Sequence, residues 1–317
     1  MNRVLIIKLG ALGDFVQAFA AMKRIRQAHA EAEITLLTTG PYGPLGAASP
    51  YVDRVEADGR PKSSRETFGM LRRLRRARYD RIYDLQTSGR TNAYFQALRP
   101  FAPAWSGTAW GCALPHRNPE RDRMHTLERQ ADQLKEAGIW PDAPTAPGAA
   151  PLPDLSWLGA EPGAPARWGL RAPYALVVPG GSAHRLDKRW PADRYAALGR
   201  GLIALGLDVG VLTGPAEPGL AAKIIAEMGR GVDLGRTKVL DIAAIAPGAA
   251  FCIGNDTGPT HLVAALGVRT LTLFSGASEP RLCAPRGRSA AWLRRSKLTD
   301  LSVEEVLETL ASDHLPA

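Results

Sequence analysis

The densest chemistry in this chain lies in Phe251-Cys252-Ile253-Gly254-Asn255-Asp256-Thr257-Gly258-Pro259-Thr260-His261-Leu262. The apolar run Ala249 to Ile253 predicts a buried parallel strand, and Gly254 to Gly258 is turn chemistry. Pro259 to Leu266 predicts a helix, with the proline in its first turn, where a missing N–H costs nothing. A strand that turns sharply into a helix gathers free backbone N–H groups and the positive dipole end at one spot. That spot suits an anion such as a diphosphate. Asp256, Thr257 and His261 place polar side chains around the same point. The plain alternative is a capped turn with Asp256 or Thr257 as the cap.

Four further stretches place reactive groups at strand ends. Lys8-Leu9-Gly10-Ala11-Leu12-Gly13-Asp14 has two glycines that permit a tight turn, but not the Gly-x-Gly-x-x-Gly spacing of a dinucleotide site. Asp14 there is either a helix cap or dipole partner, or a carboxylate placed for proton abstraction. Val178-Pro179-Gly180-Gly181-Ser182-Ala183-His184-Arg185-Leu186-Asp187-Lys188-Arg189-Trp190-Pro191 reads as a strand, a basic loop and a helix opened by Pro191. Lys188 offers a compact cation to an anionic ligand and Ser182 a hydroxyl; the alternative is a solvated loop. Leu212-Thr213-Gly214-Pro215-Ala216-Glu217 ends another strand, and Glu217 reads equally as a first-turn helix residue. Tyr83-Asp84-Leu85-Gln86-Thr87-Ser88-Gly89-Arg90 ends a further strand in polar residues. His125 and Arg129, four apart, share one helical face.

The elements that must hold these groups alternate. Strands are expected at Arg3–Leu9, Glu33–Leu37, Val52–Glu56 and Arg81–Leu85, with helices at Asp14–Ala30, Ser64–Arg78, Thr91–Leu98 and Met124–Gly138. Residues 141 to 170 hold seven prolines and read as a linker. The alternation then restarts: strand Tyr174–Val178, helix Ala192–Ala204, strand Asp208–Thr213, helix Pro218–Met228 and a short helix at Val239–Ala246. Strand Thr270–Phe274 follows the signature. Ser302–Ala311 closes the chain as a helix, with Ser302 and Glu305 as a capping box. This pattern predicts an α/β protein with an N-terminal domain over 1–150 and a C-terminal domain over 165–317. Each would be Rossmann-like and doubly wound, the two facing across a ligand cleft.

Composition narrows the partner without choosing it. The 317 residues carry a formal charge of +9 and a pI near 9.7, so nucleic acid, a phosphorylated small molecule or an anionic membrane surface would each fit. Arg72, Arg73, Arg75, Arg76, Arg78 and Arg81 form a cluster offset only by Asp80. It is a solvated helix face or a surface for phosphorylated lipid; no nucleic-acid motif accompanies it. Three separated cysteines and no secretory signal suit a reducing, cytoplasmic location.

Asn-Asp-Thr-Gly-Pro-x-His-Leu followed by Ala-Ala-Leu-Gly resembles the C-terminal signature of the ADP-heptose:lipopolysaccharide heptosyltransferases, glycosyltransferase family 9. The resemblance implies the GT-B fold and an inverting, metal-independent transfer of heptose from ADP-heptose to a lipopolysaccharide inner-core acceptor. It needs no cofactor beyond that nucleotide sugar. It makes Asp14 the general base and Lys188 the partner of the donor diphosphate. Ser182, Glu217, Asp256, Thr257, Gly258 and His261 fall to the donor, Gln86, Ser88, Arg90, His125 and Arg129 to a phosphorylated lipid or oligosaccharide acceptor. Ala183 stands where the family often has a hydroxyl, and Thr87 where a small residue is expected. A nucleotide-sugar hydrolase or epimerase of the same fold, and a non-catalytic donor-binding relative, are the alternatives.

Overall fold

The structure, a computed structural model, describes residues 2–181 and 185–312. It divides into two units, Met1–Trp157 and Leu158–Ala317, and the boundary lies inside the proline-rich stretch.

The first unit contains β1 (Arg3–Ile7), α1 (Leu12–Ala28), β2 (Glu33–Leu37), α2 (Gly43–Ala47), β3 (Arg54–Glu56) and α3 (Ser64–Ala77). It continues with β4 (Arg81–Asp84), α4 (Gly89–Leu98), β5 (Ala104–Gly107), β6 (Leu114–Pro115) and α5 (Thr126–Glu136). The second contains α6 (Ala164–Arg167), β7 (Tyr174–Val178), α7 (Ala192–Ala204), β8 (Asp208–Val211), α8 (Leu220–Met228) and β9 (Val232–Asp233). After these come α9 (Val239–Ile245), β10 (Phe251–Asn255), α10 (Gly258–Ala265), β11 (Thr270–Phe274), α11 (Pro280–Cys283), β12 (Ala290–Arg294) and α12 (Val303–Ala311).

Each unit builds one six-stranded parallel sheet, in the orders β3-β2-β1-β4-β5-β6 and β12-β11-β10-β7-β8-β9. Counted from its own first strand, each order is 3-2-1-4-5-6, the doubly wound arrangement of dinucleotide-binding folds. The inner strands are apolar along their length because helices cover both faces: β7 is buried at all five positions, and Leu5, Ile6 and Ile7 of β1 are fully buried. The order reverses between β1 and β4 in one unit and between β7 and β10 in the other. A ligand crevice belongs at the carboxyl ends of those pairs, where loops leave in opposite directions.

Several expected boundaries shift. β10 runs two residues past the expected Ile253, because Gly254 and Asn255 still pair with Thr272 and Leu273 of β11. β8 stops at Val211, two residues short, and α8 starts at Leu220 behind Gly219 rather than at Pro218. The expected capping box on α12 is half formed: the Ser302 side chain accepts from the Glu305 N–H, but the Glu305 carboxylate pairs with Arg295.

Candidate functional site

Both switch points carry polar side chains. In the first unit β1 runs into Lys8, Leu9 and Gly10, and α1 opens two residues before Asp14. Gly10 has φ +112°, and a Cβ there would lie 2.3 Å from the Tyr42 ring, so only glycine fits this turn. Asp14 falls in the first turn of α1, whose N-cap is Ala11, so it does not cap the helix.

A small cavity of about 80 Å³ opens at this switch point, lined among others by Lys8, Asp14, Gln86, Arg121, Arg129 and Gln133. Lys8 is 4% exposed and its Nζ donates to the Leu85 carbonyl at 3.1 Å. Burial, joined by the Arg129 charge, lowers its pKa, against the pull of Asp14 and Asp84. Asp84 at the end of β4 is fully buried, and burial pushes its pKa up to about 6 against hydrogen bonds from Thr91, Thr87 and Gln86 and the charge of Lys8. Its Oδ1 accepts from the Gln86 and Thr87 N–H groups at 3.0 and 2.9 Å. That shapes the loop that carries Gln86 into the cavity.

Arg121 is set by a chain of contacts. Asp132 takes His116 Nε2 at 2.8 Å, Arg121 Nε donates to His116 Nδ1 at 3.2 Å, and Arg121 reaches Thr87 Oγ1 at 2.6 Å. The bond from arginine makes Nδ1 the acceptor, so the ring proton sits on Nε2 and points at Asp132. His116, Asp132 and Glu136 also lie close enough to surround a cation. The guanidinium on the same imidazole, and Asn118 donating to the same Asp132 oxygen at 2.7 Å, make it an ion-pair network instead.

Of the residues expected on this side, Gln86 and Arg129 line the cavity with Asp14. Ser88 is the N-cap of α4 and exchanges hydrogen bonds with Thr91 in a capping box. Arg90 is exposed. His125 is buried as the N-cap of α5, its Nδ1 accepting from the Leu127 N–H at 3.2 Å. Thus His125 and Arg129 do not act together from one helical face: the first starts the helix, and the second lines the cavity.

In the second unit the loop after β7 meets the turn after β10. Lys188 Nζ lies 2.8 Å from Asp256 Oδ2, Ser278 Oγ donates to the same oxygen at 2.9 Å, and His261 Nε2 lies 3.5 Å from Oδ1. Burial alone would raise the Asp256 pKa; hydrogen bonds from His261 and Lys188 and their charges hold it down at about 2. Thr257 is the N-cap of α10 and its side chain makes no capping bond, so the first N–H groups of α10 are left to other acceptors. Thr257 thus holds the N-cap position without a side-chain capping bond, and Asp256 lies one residue before it.

Asn255 binds the two loops together. It is fully buried; Oδ1 accepts from the Trp190 N–H and the Tyr195 hydroxyl at 3.0 Å, and Nδ2 donates to the Pro179 and Gly180 carbonyls at 2.8 and 3.1 Å. Glu217 precedes α8, so the first-turn reading is corrected. Its side chain is 5% exposed and accepts from the Gly181 and Gly214 N–H groups and from Arg189. Ser182 lies outside the described residues.

A model of glycosyltransferase family 9 (heptosyltransferase) matches residues 68–310, three quarters of the sequence, including the switch point of the second unit. The chain belongs to glycosyltransferase family 9. It is 25% identical over 315 residues to lipopolysaccharide heptosyltransferase 1 of Pseudomonas aeruginosa, covering 92% of this chain and 83% of that one. Its fold matches E. coli ADP-heptose lipopolysaccharide heptosyltransferase II with a TM-score of 0.81 at 21% identity, covering 97% of each chain. An E. coli heptosyltransferase solved with ADP matches with a TM-score of 0.74 at 20% identity, over 96% of this chain and 98% of that one. The α/β fold class expected for a GT-B enzyme is thereby borne out, and the protein is a glycosyltransferase.

Within this family 9 enzyme, Arg121, Gln133 and Ser278 escape the sequence reading, and Lys8, Thr87 and Asn255 stand in its motifs without the contacts seen here. Arg121 and Ser278 reach the sites from loops 34 and 22 residues away from their partners, and no local pattern marks them. Gln133 had a signal: it lies one helical turn beyond Arg129 on the same face of α5. The arginine cluster divides. Arg73 is held by Glu56 and Asp58 at 2.9 and 2.6 Å, whereas Arg72, Arg76 and Arg78 are exposed.

Proposed function

We propose that this family 9 glycosyltransferase moves a heptose from ADP-heptose onto a phosphorylated lipopolysaccharide inner-core acceptor, with inversion and without a metal ion. The observation that carries the reading is the Lys188–Asp256 pair beside the uncapped start of α10. An ammonium and a set of free amides at one point can take up the charge that develops on a departing nucleoside diphosphate. Asp256, Thr257, Gly258 and His261 then hold the diphosphate and donor sugar. Glu217 accepts from the Gly181 and Gly214 N–H groups of these loops, and Ser182, outside the described residues, is assigned to the donor on the family resemblance alone. The names of the relatives, and the ADP bound to one of them, support adenine and heptose.

Asp14 removes the proton from the acceptor hydroxyl, and the oxygen attacks the anomeric carbon as the bond to ADP breaks. Gln86 and Arg129 orient the acceptor; Lys8 and Arg121 add positive charge beside Asp14, which suits an anionic substrate. We place the enzyme in the cytoplasm, reaching the anionic inner membrane through Arg72, Arg76 and Arg78; among the described residues no helix is long and apolar enough to cross a membrane.

Thermal stabilisation by nucleotides tests the donor assignment. A ligand that binds only the folded state stabilises it by RT ln(1 + [L]/Kd), so the rank order of shifts at equal concentration is the rank order of affinity. ADP should exceed UDP, GDP and CMP, with the same shift in EDTA. A larger shift with UDP or GDP would replace ADP-heptose with another donor.

A further inference from the structure

Three large aromatic side chains of the first unit stand in solvent: Phe68 is 68%, Phe101 79% and Trp110 80% exposed. They are joined by arginines. Phe68, Arg72 and Arg75 lie four and seven residues apart on α3, hence on one face. The Arg75 guanidinium lies 6.0 Å from the centre of the Phe101 ring and also donates to the Leu98 and Arg99 carbonyls. Arg99 in turn lies 5.6 Å from the centre of the Trp110 ring. The result is one continuous strip in which exposed rings alternate with guanidinium groups.

We propose that this strip is a bilayer-docking surface, with the rings of Phe68, Phe101 and Trp110 entering the headgroup region of an anionic membrane. It deepens the membrane contact proposed above and adds what charge alone does not supply, an apolar anchor. Aromatic rings flanked by cations suit the membrane–water boundary, where the ring sits among acyl chains and the guanidinium meets phosphate. Arg73, neutralised by Glu56 and Asp58, contributes nothing. A second copy of the chain would bring like-charged arginines face to face. Base stacking is disfavoured because no recognised nucleic-acid motif accompanies the strip.

The test is sedimentation with vesicles of phosphatidylglycerol and phosphatidylcholine, with neither donor nor acceptor present, so that its failure leaves the transferase reading standing. The protein should partition to these and not to phosphatidylcholine alone. Combined Phe68→Ser, Phe101→Ser and Trp110→Ser should weaken partitioning by about tenfold or more. Arg72→Glu with Arg76→Glu should weaken it at low salt and flatten its salt dependence. All variants should keep the thermal shift with ADP, showing that they fold. Brominated phosphatidylglycerol should quench tryptophan emission, and Trp110→Phe should abolish that quenching while still binding vesicles. Equal binding to both vesicle types, undiminished binding of the triple serine variant, or quenching that survives Trp110→Phe would overturn the proposal. So would loss of single-stranded nucleic-acid binding in the triple variant without loss of vesicle binding.

Discussion

Asp14 and Lys188 occupy different units and should fail differently when replaced. Asp14 lies beside Lys8, Arg121 and Arg129 in the cavity of the first unit. Asp14→Asn keeps shape and removes only the basic oxygen. The expected outcome is donor affinity within about twofold of wild type, with kcat lower by roughly 10²–10⁴, the usual contribution of a general base. Near-normal turnover would remove Asp14 from the mechanism. Lys188→Ala should lower both donor affinity and kcat if, as proposed, the cation stabilises the bound diphosphate and still more the leaving one. It also deprives the half-buried Asp256 of its lysine partner at 2.8 Å, leaving Ser278 and His261 beside it. If Lys188→Ala changed affinity alone, the lysine would bind the donor without assisting departure.

At the scale of elements, two buried polar residues shape the loops that form the sites. Asn255 makes four hydrogen bonds from the end of β10 to the loop after β7 and to Tyr195. Asn255→Ala strands the buried Trp190 N–H and the Pro179 and Gly180 carbonyls, and leaves the Tyr195 hydroxyl only the Val178 carbonyl, which should destabilise the protein by on the order of 3 kcal/mol and weaken ADP binding. Full ADP affinity in a folded variant would show that the loop stands without it. Asp84 is different: burial raises its pKa from 3.8 to about 6 in the folded state. A raised carboxyl pKa stabilises the fold while the group is protonated, and that contribution disappears as pH rises through about 6. Asp84→Asn should therefore remove a fall in the denaturation midpoint between about pH 4 and 6. An unchanged slope would assign it to other groups. Elements with a strong pattern were legible in the sequence: β2, β7, β11 and α7 lie where expected. β5, β6, β9 and β12 were not, because two to five residues without alternation carry little periodic signal. Site residues at strand-to-helix turns were legible for the same reason as the turns. Arg121 and Ser278 were not, because only tertiary folding brings them to Thr87 and Asp256.

At the scale of the molecule, one topology is used twice. Each unit has the same strand order, and each gathers its polar residues at the point where that order reverses. The first offers a carboxylate among cations, the second a lysine beside a helix start. In the proposed mechanism the first would activate the acceptor hydroxyl and the second would take up the departing diphosphate. The sequence pointed to two such halves through glycine turns and apolar strands, while the sugar and the base were read from resemblance. Incubation with ADP-heptose and heptose-deficient lipopolysaccharide tests the whole account. Mass spectrometry of the acceptor should show the gain of one heptosyl unit, matched by an equal amount of ADP, and the new bond should have the anomeric configuration opposite to that of the donor. Release of ADP without any gain on the acceptor, or transfer from a UDP-sugar in preference to ADP-heptose, would contradict it.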